Sequence, residues 1–377
     1  MGRRINVLQL LINLHPGGVQ QTVWDISRHL DPARYEPMVC ALEENGDLGR
    51  EMARAGFKVR ALGLNVKTHR PRIILELARL MRERRIDIVH AAAYHPSLMG
   101  RLAGLWARVP ILIHHEHSLI ARRRLNRVIL NNLLARVTAA HITVSQALRR
   151  QVIDWYRIPS EKVEVIYNGV GGRFFDAPAL RREARRKLGV SAAVKVVGMV
   201  SRLDWDKGHG YFFAALKEIK GAFPVKVLLV GSGPNEGEIR ARAEREGLAG
   251  IVEFLGMRPD VPELLAAMDL FVLPSDREGF SISLLEAMAA GLPIVASDLP
   301  GILEALEPGK SGLIFPRGNI PALADCLTEM LTHPHMAHRL GQAARERAAA
   351  HFTVEQYNRQ LSALYDRLVR ERIDPAW

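Results

Sequence analysis

Short apolar segments alternate with helical segments along the chain, and this alternation constrains the fold more than any other feature. In the first half of the chain the strands are predicted at residues 5–11, 35–41, 58–61, 88–91, 111–114, 141–144 and 162–166. Segments of helical composition separate them, the first from about residue 19 to residue 30. This order is typical of the α/β class, with parallel, doubly wound sheets.

The length of the chain predicts two domains. The 377 residues are too many for one ordinary domain and suit two of about 190 residues, each with its own core. We place the first domain at residues 1–172 and the second at residues 173–352. A last helix is predicted within residues 353–377, where apolar residues recur at helical spacing.

Several classes of protein are disfavoured by composition. No uninterrupted apolar run approaches the roughly 18 residues of a membrane-spanning helix. The N-terminal segment has a brief apolar part without a small-residue cleavage site, so we interpret it as the first strand and not as a signal peptide. Cys40 and Cys326 fall in separate predicted domains, which supports neither a disulfide framework nor a zinc site. We therefore expect a cytoplasmic protein.

A strand, loop and helix unit is predicted at residues 270–291, and it carries two glutamates eight positions apart. Glu278 lies in the loop and Glu286 lies one turn inside the helix. Free backbone N–H groups and the positive end of the helix dipole make such a helix start a site for an anionic phosphate. The residues predicted to bind there are Glu278, Gly279, Phe280, Ser281, Ile282 and Glu286. The spacing of Ser283 and Glu286 also matches a capping box, and the spacing alone leaves both interpretations open.

A second strand-to-helix segment, at residues 195–216, carries Arg202 and Lys207 in its loop. The planar fork of an arginine can bind two phosphate oxygens, and a lysine adds a compact charge, so the pair can neutralise a diphosphate. Alone, the segment is more simply a surface loop whose cations pair with Asp204 and Asp206. The glutamate unit that follows about seventy residues later favours the phosphate site.

Together these segments resemble the group-1 class of retaining glycosyltransferases, also called glycosyltransferase family 4. The residues that match the family's glutamate motif are Gly279, Phe280, Leu285, Glu286, Ala287, Gly291 and Pro293. The resemblance implies the GT-B fold, in which two Rossmann-like domains face each other across a cleft and the last helix returns to the first domain. It also implies transfer of a sugar, with retention, from a UDP-sugar or GDP-sugar to an acceptor hydroxyl, without a metal or another cofactor.

The resemblance assigns roles to individual residues. Arg202 and Lys207 would stabilise the departing diphosphate, Glu286 would bind the ribose, and Glu278 would orient the sugar. The loop at residues 256–258 commonly lies beside the base in this family, so Met257 and Arg258 are candidate base contacts. Gly231, Ser232 and Gly233 suggest a dinucleotide fingerprint, but Glu236 stands where its third glycine belongs, and we reject that interpretation.

The N-terminal half contains two further candidates. Gly17 and Gly18 follow the first strand, where the family has a glycine loop that faces the donor phosphates; a tight structural turn is the alternative.

Residues 114–117 read His-His-Glu-His, but neighbours on an extended chain point to alternate faces and rarely share a metal ion. The family carries a histidine near the transferred sugar after this strand. We choose His117 as the catalytic residue, with His115 second and a partly buried structural histidine as the alternative.

The excess positive charge lies entirely in the first half of the chain. Residues 1–172 contain 26 Lys and Arg against 14 Asp and Glu, whereas residues 173–377 contain 26 of each. The densest basic block is set among apolar residues at helical spacing; its members are Arg122, Arg123, Arg124, Arg127 and Arg136, with Leu125, Val128, Ile129, Leu133 and Leu134. Such a helix can rest on the anionic inner face of a membrane, and a core-packed helix with a solvated basic face is an equal alternative.

The expected partners are a nucleotide-sugar donor and a saccharide or lipid-linked acceptor, in the assembly of a cell-surface polysaccharide or glycolipid. A nucleotide-sugar 2-epimerase shares the fold and is the first alternative; it would turn over without an acceptor. A nucleic-acid-binding protein is the second, and few aromatic residues and no reading motif argue against it.

Overall fold

The computed structural model describes residues 3–120, 124–219, 221 and 224–377. The strands are β1 (Ile5–Leu11), β2 (Tyr35–Ala41), β3 (Lys58–Ala61), β4 (Ile88–Ala92), β5 (Ile111–Glu116), β6 (Ala140–Thr143), β7 (Val163–Val165), β8 (Lys195–Val200), β9 (Val225–Val230), β10 (Val252–Gly256), β11 (Leu270–Leu273), β12 (Ile294–Ser297) and β13 (Leu313–Phe315). The helices are α1 (Gly18–His29), α2 (Asp47–Arg54), α3 (Arg70–Glu83), α4 (Tyr94–Ala107), α5 (Leu125–Ala135), α6 (Gln146–Tyr156), α7 (Ala177–Lys187), α8 (His209–Ile219), α9 (Glu236–Arg245), α10 (Val261–Ala267), α11 (Ile282–Ala289), α12 (Pro300–Ala305), α13 (Ile320–Thr332), α14 (Pro334–His351) and α15 (Val354–Arg372).

The chain forms two compact units, each built on one sheet. Unit 1 comprises Met1–Asn168 and Glu355–Trp377, and unit 2 comprises Gly169–Val354, so the second unit begins at Gly169 and not at Arg173. Among the described residues every strand pair is parallel. The strand orders are β3-β2-β1-β4-β5-β6-β7 in unit 1 and β10-β9-β8-β11-β12-β13 in unit 2. The predicted α/β class and the doubly wound parallel sheets are confirmed.

The strand order of each sheet reverses at one point. In unit 1 the reversal lies between β1 and β4, and in unit 2 it lies between β8 and β11. The connections leave these neighbouring strands in opposite directions, which opens a crevice at their carboxyl ends where ligands of doubly wound proteins commonly bind. The fold thus directs attention to two places, one in each unit.

Burial on both faces of the sheets explains why the strands read as nearly continuous apolar runs. In unit 1, α15 supplies Tyr357, Leu361, Leu364, Tyr365 and Leu368 to the cluster that covers one face of the sheet. The spacing of these residues places them on one side of the helix. In unit 2, Phe212 and Phe213 of α8 pack with β-strand residues in a buried apolar cluster.

The predicted bounds of β4, β6 and β7 differ from the structure by one residue, and the predicted end of β5 is wrong by two. β5 does not stop at residue 114, because His114, His115 and Glu116 continue the parallel pairing with His141, Ile142 and Thr143 of β6. Polar side chains in these positions suggest a loop, but the neighbouring strand satisfies their backbone groups.

Helices in the described residues are all too short or too polar to cross a membrane.

Candidate functional site

Two loops of unit 2 meet at the carboxyl ends of β8 and β11. The first loop contains Arg202 and Lys207, and the second contains Glu278. These segments are about seventy residues apart in sequence, but β8 and β11 are adjacent in the sheet. The fold therefore brings the loop that carries the cationic residues next to the loop that carries the first glutamate of the predicted phosphate site.

Direct contacts join the two loops. The ammonium of Lys207 donates to Glu278 Oε1 at 2.9 Å, and the hydroxyl of Ser275 donates to the same oxygen at 3.1 Å. The guanidinium of Arg277 donates to Asp206 at 3.0 Å, and the backbone N–H of Asp276 donates to the carbonyl of Asp206 at 2.8 Å. Sequence reasoning missed Ser275, Arg277 and the bridging role of Asp206, since no motif singles them out.

The close approach of these loops requires glycine at position 208. Gly208 has φ +77°, and an added Cβ would lie 1.8 Å from the carbonyl oxygen of Pro274. Both the left-handed backbone and the lack of space exclude other residues. Gly208 thus fixes the distance between the loop that carries Lys207 and the segment that leads to Glu278.

Helix α11 begins two residues earlier than a capping box would require. Its N-cap is Ser281, whose hydroxyl accepts the N–H of Leu284 at 3.3 Å. The capping-box interpretation, with Ser283 as the N-cap, is therefore wrong. Glu286 lies on the fifth helical position, half-buried.

The remaining residues of this helix start differ in what they can offer. The side chain of Phe280 is buried against Phe352, with the two rings 5.2 Å apart, so only its backbone can face a ligand. Ser281 is also buried. Gly279 lies where α12 packs closely, because a Cβ at Gly301 would be 2.2 Å from the carbonyl of Gly279. Ile282 is the first helical residue and is half-buried.

Arg202 is exposed and pairs with its own loop. Its guanidinium lies 3.0 Å from Asp204 and 3.8 Å from Asp206, and the side chain is 58% exposed. The pairing expected of a surface loop is thus present in the structure. An exposed pair of this kind is weak, so a diphosphate can compete for the guanidinium.

The candidate base contacts follow β10, at the edge of the same sheet. Met257 is half exposed, and Arg258 donates to both oxygens of Asp260 at 2.8 and 2.6 Å.

The glycines after β9 have a packing role. A Cβ at Gly231 would lie 2.0 Å from the carbonyl oxygen of Ser201, and a Cβ at Gly233 would lie 2.3 Å from the carbonyl oxygen of Leu203.

Unit 1 carries the other predicted residues. Gly17 is the N-cap of α1, with an extended φ of 176°, and Gly18 is the first helical residue; both are exposed. Neither has the positive φ that would demand glycine. The alternative interpretation as a tight turn that needs glycine is therefore not supported by the backbone.

His117 is buried directly after β5. Its ring stacks on that of His115 at a centroid distance of 3.9 Å, and neither ring nitrogen has a hydrogen-bond partner in the described residues. Burial lowers the pKa of His117 to about 4, although the Glu116 carboxylate opposes the shift. The imidazole is thus neutral at pH 7, with two unused polar atoms. His114 lies apart from this pair and contacts His141.

A buried hydrogen-bond chain reaches the His115 and His117 pair from α15. Gln9 Nε2 donates to the Tyr365 hydroxyl at 3.1 Å, which lies 2.5 Å from His90 Nδ1. His90 Nε2 lies 3.0 Å from His115 Nδ1. If the Tyr365 hydroxyl donates to His90, then His90 donates to His115 and the tautomer of each ring is fixed. Burial lowers the pKa of His90 to about 3, which keeps the chain uncharged.

The basic helix α5 presents an apolar stripe to solvent. Leu125, Ile129 and Leu133, spaced four apart, are 73%, 53% and 52% exposed. Val128 and Leu134 are buried, so the helix both packs on unit 1 and leaves one face uncovered. Arg122 and Arg123 of the predicted basic block lie outside the described residues.

Comparison with known families gives two matches that together span most of the chain. Residues 16–171 match the model described as Glycosyltransferase Family 4, and residues 181–347 match the model described as Glycosyl transferases group 1. The first match lies in unit 1 apart from its last residues, and the second lies wholly in unit 2.

Curated relatives and solved structures agree with these matches. The lipopolysaccharide core biosynthesis mannosyltransferase LpsB of Rhizobium meliloti is 30% identical over 55% of this chain and 61% of its own length. The N,N'-diacetylbacillosaminyl-diphospho-undecaprenol alpha-1,3-N-acetylgalactosaminyltransferase of Campylobacter jejuni is 27% identical over 83% of this chain and 88% of its own length. In LpsB and two other curated relatives of similar identity, the matched region spans only 56% to 61% of the relative's own length. The crystal structure of Anabaena Alr3699/HepE in complex with UDP-glucose is 26% identical, covers 96% of this chain and all of its own, and superposes with a TM-score of 0.86.

Proposed function

Because the chain belongs to the group-1 glycosyltransferases and has their GT-B fold, we propose that it transfers a sugar from a nucleoside diphosphate sugar to an acceptor hydroxyl. The observation that carries the proposal is the contact of Lys207 with Glu278 at the strand-order reversal of unit 2, with Arg202 in the same loop as Lys207. The UDP-glucose complex of the similar Anabaena protein supports a donor of this class.

Charge explains how this site acts on a donor. A departing nucleoside diphosphate develops negative charge, and fixed positive groups that face it lower the barrier. Lys207 is held by Glu278, and exposed Arg202 can turn from Asp204 to the phosphates. The N-terminus of α11 adds the positive end of a helix dipole. These groups together can supply the electrostatic stabilisation for which other transferases use a metal ion, so we propose a metal-independent reaction.

The other assignments follow the family resemblance. We propose that Glu286 binds the ribose, that Glu278 orients the sugar, and that Met257 and Arg258 contact the base. For His117 we propose contact with the transferred sugar, and for Gly17 and Gly18 contact with the donor through the backbone. We further propose retention at the anomeric carbon, and a role in the assembly of a cell-surface polysaccharide or glycolipid.

A thermal-shift panel with UDP, GDP, ADP and their sugars, in the presence of EDTA, tests the donor site. One nucleotide should stabilise the wild type, and its effect should weaken in Arg202→Ala and Glu286→Ala. Arg186→Ala is the matched control, since Arg186 is an exposed residue of α7 in the same unit, and its ion pair in the described residues is with Glu183 of its own helix. A folded protein that no nucleotide stabilises would contradict the proposal.

Product analysis separates the proposed reaction from its alternative. With the nucleotide-sugar that binds, sugar transfer should require an acceptor, and the anomeric coupling constant of the product should match that of the donor. Conversion of the donor without an acceptor would indicate the 2-epimerase instead.

We also propose that unit 1 rests on the anionic inner face of a membrane through the α5 stripe of Leu125, Ile129 and Leu133. Exposed apolar residues beside cations suit a headgroup interface. Cosedimentation with vesicles that contain phosphatidylglycerol should fall in Leu125→Ser/Ile129→Ser and should stay unchanged in Leu303→Ser, an exposed apolar residue of unit 2. Equal binding of all three proteins would contradict the contact.

A further inference from the structure

Unit 1 contains a cavity of about 430 Å³ at its own strand-order reversal. Its walls come from the segments that follow β1, β4 and β5 and from the start of α5. Its lining includes Tyr94, His95, Glu116, Arg124, Arg127 and Tyr156. None of the predicted donor-site residues of unit 2 lines this cavity.

The two lining arginines form no ion pair with a carboxylate in the part of the chain that the structure describes. Among the residues that the structure describes, no carboxylate pairs with Arg124 or Arg127 within 4.0 Å, whereas Arg202 and Lys207 of unit 2 are both paired. Arg127 lies over the ring of Tyr94 at 4.2 Å, which holds the guanidinium in place. Arg124 is exposed at the start of the helix.

A third cation lies buried behind the wall. Arg101 is fully buried; it donates to Asn131 at 2.7 Å and to the Ser97 carbonyl at 3.2 Å, and its Nη1 has no partner in the described residues. Burial lowers its pKa to about 10, and the groups that oppose this effect are Tyr94, Glu116 and Tyr156, all at the cavity. A buried guanidinium without a carboxylate contact leaves positive potential that favours an anion nearby.

The wall also contains one acidic group, Glu116. Its carboxylate is buried and accepts the backbone N–H groups of His117 and Ser118, and burial raises its pKa. His95 on the same wall is neutral, because burial and then the charge of Arg127 lower its pKa. A ligand of this cavity therefore meets two arginines that form no ion pair in the described residues, and a buried carboxyl that can bind a hydroxyl.

We propose that the cavity binds the acceptor, and that the acceptor is a hydroxyl-bearing phosphate or diphosphate ester whose phosphate contacts Arg124 and Arg127. This inference rests on the proposed transferase function and narrows its acceptor to a class. A water-soluble sugar phosphate and a lipid-linked sugar diphosphate share this chemistry. The exposed stripe of α5 begins at Leu125, next to Arg124, and gives an apolar tail a surface that continues from the phosphate site.

Calorimetric titration tests the cavity directly. The protein carries Arg202→Ala and Lys207→Ala, so that the phosphate contacts of unit 2 are removed. The probes are glucose 1-phosphate, methyl α-glucoside and farnesyl diphosphate. Glucose 1-phosphate should bind at least about tenfold more tightly than the uncharged glucoside, because a charge-assisted hydrogen bond contributes about a factor of ten or more.

Variants of α5 locate the site. Arg124→Ala and Arg127→Ala should each weaken phosphate binding by about tenfold or more, and Arg127→Lys should restore part of it, since the charge remains but the fork is lost. Arg136→Ala, at the residue that follows the last residue of α5 and lies outside the cavity lining, is the control and should bind as its parent does. Tighter binding of farnesyl diphosphate than of glucose 1-phosphate would identify the lipid-linked source, and the reverse order the soluble one.

Two results would overturn the inference: equal affinity for the phosphorylated and uncharged sugars, or equal weakening by Arg136→Ala and Arg127→Ala. The wild-type nucleotide panel, run in parallel, keeps the two proposals distinct. Nucleotide stabilisation without phosphate binding at the cavity would remove only the acceptor class, whereas phosphate binding without any nucleotide effect would remove the transferase function and leave an anion site.

Discussion

Lys207→Met removes the cation that joins the two loops of the candidate donor site while it keeps the aliphatic stem. In the folded state the Lys207 and Glu278 side chains are only 17% and 11% exposed, and their charged atoms lie 2.9 Å apart. After the substitution Glu278 keeps one side-chain donor among the described residues, Ser275 at 3.1 Å. An enclosed carboxylate that loses its cation is poorly solvated, so the variant should be clearly less stable than the wild type.

The magnitude lies between two known limits. Exposed ion pairs contribute about 0–1 kcal/mol, and breaking a fully buried pair costs about 3–5 kcal/mol. For this nearly buried pair we expect a loss of about 2–3 kcal/mol. Since about 1 kcal/mol shifts Tm by about 2–4 °C in a domain of this size, the melting temperature of unit 2 should fall by about 5–10 °C.

Urea unfolding, monitored by signals from both units, provides the measurement. Lys226→Met is the matched control, since Lys226 contacts Glu253 at 2.8 Å in the same unit but these side chains are 30% and 44% exposed. It should cost about 1 kcal/mol or less. The double variant Lys207→Met/Glu278→Gln should recover part of the loss, because no unpaired charge then remains. If Lys207→Met costs no more than Lys226→Met, the reasoning about enclosure is wrong.

Three further changes test other parts of the structure. Gly208→Ala should destabilise unit 2 by more than about 3 kcal/mol in urea unfolding, because the new Cβ would collide with the Pro274 carbonyl. Gly189→Ala is the control: Gly189 also has a positive φ, but the space around it is open, so the loss should be only about 1–2 kcal/mol. Equal losses would refute the steric argument. Tyr365→Phe should lower stability by about 1–3 kcal/mol, since Gln9 and His90 each lose a buried partner, and an unchanged urea midpoint would show that water replaces the hydroxyl. His117 stays neutral in the folded state down to about pH 4, whereas the unfolded chain protonates it near its ordinary pKa of 6.5. The free energy of unfolding should therefore fall as the pH drops through that window, by up to about 1.4 kcal/mol per pH unit. His117→Gln should reduce this slope by the equivalent of about one proton, and an unaltered slope would contradict the lowered pKa.

Much of the architecture follows from the order of residues alone. Strand and helix periodicities predict the alternation, and β1, β2 and β3 have the predicted bounds. Runs that are apolar throughout indicate strands buried on both faces, which leads to parallel sheets. The motif around Glu278 and Glu286 leads to the family, because spacing within one loop and one helix is a local property that the sequence carries directly.

Local contacts that compete with one another were less predictable. Ser281 and Ser283 are both good N-cap residues two positions apart, and only the path of the loop makes Ser281 the cap of α11. Likewise, His115 and Glu116 lie beyond the predicted end of the strand, but β6 pairs with them. In each case local preference allows two conformations and a neighbouring element selects one.

Contacts between distant segments were decided by the tertiary structure. The sequence by itself determined the class of fold, the two-domain organisation expected of it and the residue types that suit a diphosphate. Only the structure placed Lys207 beside Glu278, buried Arg101 behind a cavity in unit 1, and linked Tyr365 to the histidines after β4 and β5. The physical reason is that strand order in a doubly wound sheet brings together loops that are far apart in the chain, and charge and burial take effect only once those loops meet.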